Sequence, residues 1–289
     1  MSRLALGTVQ FGLSYGIANK TGKVNAKESN RMIKLCRGNN IDMLDTAIAY
    51  GDSEKHLGEL GLNNFKIVTK LPSVPSNCKD IKKWVENQLQ DSLLRLGVSS
   101  VYGFLLHSSE QLLGRNGVIL YNAIQSLKDS GKVEKIGVSI YSPNELDKFI
   151  PLYEFDLIQA PFNIVDRRLL NTGWLDRLKN NGIEIHARSV FLQGLLLIEH
   201  VDIPIKFSPW NDLWIKWQKW LTDYDISALE ACLAYPMSFS QIDRVVIGAD
   251  SARQLEQILN IAKTTSIVHF PEVSNNNETL INPSNWVNL

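Results

Sequence analysis

Cysteine is scarce in this chain. Cys36, Cys78 and Cys232 make an odd number, far apart and without a CxxC or Cys/His zinc spacing, which excludes a disulfide framework or a structural zinc site as the basis of the fold. An excess of one charge is lacking too. Lys+Arg and Asp+Glu each total 30, for a formal net charge of zero, so there is no basic field to hold nucleic acid or an anionic lipid surface. No apolar run approaches the ~18 residues of a membrane span, and the opening MSRLALGTVQFG has neither the basic n-region nor the apolar h-region of a signal peptide. Reduced thiols in a cytoplasm are the expected setting. The chain also lacks low-complexity linkers and any repeat longer than a β/α unit. A GxGxxG after the first strand is missing, since GTVQFG does not match, and this weighs against an open doubly wound dinucleotide-binding sheet.

What the chain has is alternation. Eight short apolar runs are separated by longer segments of helical period, the pattern of parallel strands joined by crossover helices. The runs lie at residues 4–8, 43–47, 66–70, 101–107, 135–140, 157–160, 184–189 and 244–248. Helices are expected at 26–39, 52–60, 117–128, 168–179 and 226–234, after Ser142-Pro143, and from Ser251 onward. Another carries Ile81, Val85, Leu89, Leu93 and Leu96 at helical spacing and stops at Gly97. At 289 residues and 44% hydrophobic, one α/β unit of about 250 residues uses nearly all of the chain. The expected fold is a single-domain (β/α)8 TIM barrel with an irregular surface tail from about residue 267. A long irregular connection is expected over 190–222, where Trp210, Trp214, Trp217 and Trp220 at helical spacing read as a packed face, not a ligand stack.

Polar residues close several of the apolar runs, and the active site of such a barrel lies at the C-terminal ends of its strands. Asp45 ends the second strand, Tyr50 follows in a loop beside Gly51, Lys70 ends KIVTK and His107 ends VYGFLLH. Singly, each has a plain explanation: a turn cap, a loop aromatic, a solvated strand end, a core histidine. Together, at one rim of one barrel, they suggest one site.

The order of these residues within DTAxxYGxSExxLGE, a strand-ending TK and a strand-ending LLH resembles the aldo-keto reductase superfamily, over residues 4 to about 258. Moving a hydride onto a carbonyl builds charge on its oxygen, so the chemistry needs a proton donor and electrostatic support. Tyr50 then acts as acid/base, Lys70 lowers the phenol's pKa, Asp45 holds Lys70, and His107 hydrogen-bonds the substrate oxygen. The resemblance assigns the same roles. It further implies a nicotinamide dinucleotide extended across the strand ends, touching Gly7, Thr8, Ser139, Gln159, Arg188, Ser189, Gly248, Asp250, Ser251, Gln254 and Gln257, with Ser139 and Gln159 on the carboxamide.

Three departures from the family pattern stand out. Ile140 replaces the asparagine of GVSN, and Arg188 stands where an aromatic stacks on the nicotinamide, a task a guanidinium plane can also perform. Asp250 stands where a cation usually meets the adenosine 2′-phosphate, with Arg253 nearby. Family habit favours NADPH, and the carboxylate leaves NADH open. The expected substrate is a small aldehyde, ketone or sugar-like carbonyl compound resting near Tyr141, Phe162 and the tryptophan-bearing connection. Two alternatives remain: a non-catalytic cofactor-binding subunit of the same fold, and a barrel lyase or isomerase holding phosphate near Arg188 and Gly248.

Overall fold

Eight parallel strands close into a barrel in chain order. They are β1 (Leu4–Gly7), β2 (Met43–Asp45), β3 (Lys66–Leu71), β4 (Val101–Leu106), β5 (Val133–Ser139), β6 (Leu157–Pro161), β7 (Glu184–Arg188) and β8 (Arg244–Ile247). The barrel shuts where Leu4 pairs with Val245 and Leu6 with Ile247. This is a computed structural model, and it describes residues 2–264, 267 and 269–289.

Side chains two residues apart on a strand share a face, and this single rule positions the site. Ala5, Met43, Val68, Leu105, Leu157 and Val246 form one cluster inside the barrel. Two residues further along each of those strands come Gly7, Asp45, Lys70, His107, Gln159 and Gly248. The plug is apolar and the layer above it is polar. At the opposite mouth, the Tyr102 hydroxyl donates to Glu184 Oε2 at 2.6 Å, Lys135 pairs with Glu184, and Arg244 meets Asp42 at 2.7 Å, so that end is closed by its own ion pairs.

The outer helices follow their apolar stripes. The helix Ile81–Leu96 buries Ile81, Val85, Leu89, Leu93 and Leu96, each such side chain contributing about 1.5–3 kcal/mol when fully buried. It starts where Asp80 Oδ1 accepts the Lys83 amide at 3.0 Å and ends at Gly97, whose φ of +66° only glycine adopts without strain.

Several elements differ from the pattern read in the sequence. The expected helix over 168–179 is two, Arg168–Asn171 and Trp174–Asn180, parted at Gly173, where φ is +74°. The connection over 190–222 contains an unexpected helix, Asn211–Tyr224. Its Trp214 and Trp217 are buried as a packed face, their indole N–H groups donating to Phe207 O at 3.0 Å and Leu196 O at 3.2 Å. The helix expected at 226–234 runs Ala228–Met237, because Ser227 caps it by accepting the Glu230 amide. Positions 265, 266 and 268, at the start of the expected irregular tail, lie outside the described residues. Beyond them the tail is more ordered than a surface wrap. A turn of helix, Glu278–Ile281, and a 3-10 turn, Pro283–Asn288, bury Leu280, Ile281 and Trp286, and Trp286 packs edge-on against Phe207 at 4.9 Å. Among the described residues, no helix is long and apolar enough to cross a membrane.

Candidate active site

The loop carrying Tyr50 is clamped from both sides. On one side, the Thr8 amide and hydroxyl both donate to Asp45 O, at 2.9 and 3.0 Å, and Ser53 Oγ donates to Thr8 O at 2.8 Å. On the other, Glu54 is buried and accepts from Thr69 Oγ1 and Ser92 Oγ at 2.6 Å each and from Arg95 Nε at 2.8 Å. The Ser-Glu pair of the sequence motif is therefore scaffolding. Gly12 completes the clamp: a Cβ there would lie 1.7 Å from Tyr50 O, so only glycine lets the first βα loop seat itself on the Tyr50 backbone.

Inside that clamp, Lys70 Nζ donates to Asp45 Oδ1 at 2.6 Å and to Thr46 O at 2.9 Å, while the other oxygen of Asp45 accepts from Gln159 Nε2 at 2.7 Å. Lys70 and Asp45 are both buried. Burial pushes the lysine's pKa down and Asp45 pulls it back up, which is how a buried ammonium is kept charged. Lys70 Nζ lies 5.2 Å from the centre of the Tyr50 ring, and Tyr50 meets the His107 ring edge-on at 5.7 Å. Burial, then the positive charges of Lys70 and Arg188, push His107 down to about 4, so its imidazole is neutral at physiological pH.

One expectation is corrected here. Lysine was expected to draw the Tyr50 phenol toward phenolate, but the phenol's pKa is raised, by burial first and by Asp45 second. The ammonium is already neutralised by Asp45 at 2.6 Å, leaving little net charge to act on the phenol. Tyr50 thus holds its proton firmly.

Above these groups lies a cleft of about 530 Å³. It is lined by Asp45, Tyr50 and His107 and by most of the expected cofactor positions: Gly7, Thr8, Ser139, Gln159, Arg188, Ser189, Gly248, Asp250, Gln254 and Gln257. Lys70 lies beneath the lining, buried against Asp45. Ser251 does not line the cleft; its hydroxyl accepts the Gln254 amide at 3.2 Å, capping the helix Ala252–Thr264. Phe162 does not line it either, being fully buried against Tyr235 and Phe239, and the four tryptophans of the connection all lie away from it. Tyr141 does line it. Sequence reasoning missed Gln10, Tyr15 and Gln193, which also face the cleft. Gln10 lies within GTVQFG and Tyr15 just beyond it, a stretch read only for its failure to match a glycine fingerprint, and no spacing marked Gln193.

Arg188 extends from the end of β7 past β6 to the loop after β5. Its Nη2 donates to Ile140 O at 2.8 Å, its Nη1 to Ser189 Oγ at 3.0 Å, and its Cζ lies 4.8 Å from the Tyr141 ring centre. Ser189, at a φ of +57°, is held by Asn163 Nδ2 donating to its carbonyl at 3.0 Å. The inward residues Gly7, Asp45, Lys70, His107, Ser139, Gln159, Arg188 and Gly248 thus come one from the end of each strand.

Fold and site together place the protein among the barrel oxidoreductases. A model of the Aldo/keto reductase family matches residues 3–269, and the chain belongs to that family, as an enzyme of the aldo-keto reductase type. It is 27% identical over 287 aligned positions to the L-glyceraldehyde 3-phosphate reductase of Escherichia coli K12, covering 85% of this chain and 82% of the relative. It is 24% identical over 188 positions to the NADH-specific methylglyoxal reductase of the same organism, covering 60% of this chain and 57% of the relative. Among solved structures, the holo form of an aldo-keto reductase from Bacillus halodurans superposes with a TM-score of 0.73 at 20% identity, covering 92% of this chain and 88% of that one. That likeness speaks to the fold. Members of the family use nicotinamide cofactors.

Proposed function

We propose that the cleft reduces a small aldehyde, ketone or sugar-like carbonyl compound, or oxidises the corresponding alcohol, with Tyr50 exchanging the proton. The carrying observation is the convergence of Tyr50, His107 and the buried Lys70–Asp45 pair at one mouth of the barrel, phenol and imidazole edge to face at 5.7 Å. A carbonyl oxygen seated between them accepts a hydrogen bond from the neutral imidazole and receives the phenolic proton as negative charge develops on it. Lys70, fixed by Asp45 and Thr46, stabilises the phenolate left behind, so the ion pair acts after transfer and not before it. The relatives named as reductases of glyceraldehyde phosphate and methylglyoxal support this class of substrate.

The residues around the cleft fit a nicotinamide dinucleotide. Ser139 and Gln159 offer hydroxyl and amide partners on adjacent strands, and Gln10 Oε1 is buried without a partner beside Gly248, where a Cβ would lie 2.7 Å from Gln10 Nε2. The bound cofactor supplies the hydride. At its adenosine end a carboxylate favours NADH over the NADPH that family habit suggests. Asp250 lines the cleft there, its Oδ1 accepting from Asn19 Nδ2 at 3.1 Å. Arg253, a cation nearby in sequence, is exposed and outside the cleft.

Tyr50→Phe tests the reading. It should lower the rate of carbonyl reduction by at least about 10²-fold while nicotinamide fluorescence shows the cofactor still bound; an undiminished rate removes the phenol from its role.

A further inference from the structure

Arg188 is a cation in the cleft without a countercharge. Lys70 is matched by Asp45 at 2.6 Å, and among the described residues no carboxylate lies within ion-pair distance of Arg188. Its hydrogen-bond acceptors are a neutral carbonyl and a neutral hydroxyl. These occupy two of the five guanidinium N–H groups, and Tyr141 covers part of the guanidinium face. The side chain is half-buried and tethered at both terminal nitrogens, so it is held over the cleft in a fixed pose with donors to spare. The other acidic groups lining the cleft are Glu199, exposed at the rim, and Asp250, tied to Asn19 beyond β8. A half-desolvated, preorganised guanidinium is a receptor for a carboxylate or phosphate, which it can grip by its edge.

We propose that Arg188 anchors an anionic group of the substrate, so that the favoured carbonyl compounds are carboxylates or phosphate esters and not neutral aldehydes or free sugars. This rests on the reductase reading of the same cleft. Tyr15, Tyr50, His107 and Tyr141 line the cleft with Arg188, giving the anion and the carbonyl separate partners. Anchoring by the guanidinium's edge also leaves its open face to the nicotinamide. Charge-assisted bonds of this kind change affinity roughly 10- to 100-fold.

The test uses matched pairs at saturating NADH: succinic semialdehyde against butanal, and glyceraldehyde 3-phosphate against glyceraldehyde. In the unaltered enzyme the charged member of at least one pair should have a kcat/KM about 10- to 100-fold higher, and the pair that shows the preference tells carboxylate from phosphate. Arg188→Gln should collapse that ratio toward one, whatever it does to either rate alone, and Arg188→Lys should restore part of it. Cofactor affinity, read by nicotinamide fluorescence, separates substrate anchoring from cofactor loss and shows that the variants are folded. Ratios near one in both pairs, or a ratio unmoved by Arg188→Gln, overturn the anion anchor while leaving a working reductase. Cofactor binding with no turnover of any of the four compounds overturns the reductase reading, and the anchor falls with it.

Discussion

Removing the charge of Asp45 while keeping its shape isolates the contribution of the buried ion pair. In Asp45→Asn the amide oxygen can still accept from Lys70, and its nitrogen can donate to Gln159 once that side chain turns over, so the hydrogen bonds survive and the charge match is lost. Asp45 and Lys70 are 4% and 1% exposed, and breaking one partner of a pair this buried costs about 3–5 kcal/mol. At about 2.1 cal/mol/K per residue, 289 residues carry an unfolding entropy of about 0.6 kcal/mol/K. The melting temperature should therefore fall by about 5–8 °C. The sign of the pH effect follows from the lysine. With the Asp45 charge gone, the largest opposition to the downward push of burial on Lys70 is lost, so the folded variant sheds a proton that the unfolded chain keeps. Its deficit should then narrow as pH rises from 7 toward 10. Adding Lys70→Met should recover much of the loss by removing the orphaned ammonium. Scanning fluorimetry across pH on the three proteins decides it: a single variant melting within about 1 °C of the parent, or a double variant no better than the single, refutes a charge-matched core.

Other perturbations probe the remaining parts. His107 is held near 4 against 6.5 for a free histidine, so between those values the unfolded chain binds a proton that the folded one refuses and stability falls as pH drops. His107→Gln should remove about 2–3 kcal/mol of that acid sensitivity, read from urea midpoints at pH 7 and pH 4.5. Gly12→Ala must displace Tyr50 O, since the new Cβ would lie 1.7 Å from it; a loss of about 10²-fold in kcat is expected from misplacing the phenol by an ångström or so, and normal kinetics would show that the loop yields freely. For cofactor choice, KM should be lower for NADH than for NADPH, and Asp250→Arg should shift the ratio toward NADPH; no shift would mean that the adenosine end lies elsewhere.

Much of this was legible in the sequence because the barrel repeats a simple rule. Apolar runs ending in a polar residue gave both the strands and the mouth at which Asp45, Lys70 and His107 meet. Where reading failed, the deciding interaction was distant or local in a way periodicity does not register. Gly173 splits a helix whose apolar spacing runs straight through it. Helix Asn211–Tyr224 falls in a connection expected to be irregular, although its tryptophans stand at helical spacing. Phe162 looked like a pocket aromatic, yet the helix Ala228–Met237 and the residues just after it bury it against Tyr235 and Phe239. The direction of the Tyr50 shift was hardest of all, since it depends first on how deeply the phenol is buried and then on the nearness of Asp45, neither of which residue type reveals. Gly12 left no mark because its partner is a backbone oxygen in another loop.

The inward residues at the ends of the eight strands are spaced by pleat, and pleats have no tolerance for an odd step. Inserting or deleting a single amino acid within any strand would rotate one member of the constellation outward, into the helical shell, and bring a neighbour of the wrong chemistry to the mouth. Loops beyond the rim face no such constraint. Variation in length among descendants of this chain should therefore collect after the last inward residue of each strand, where new substrates can be accommodated without disturbing the inward layer.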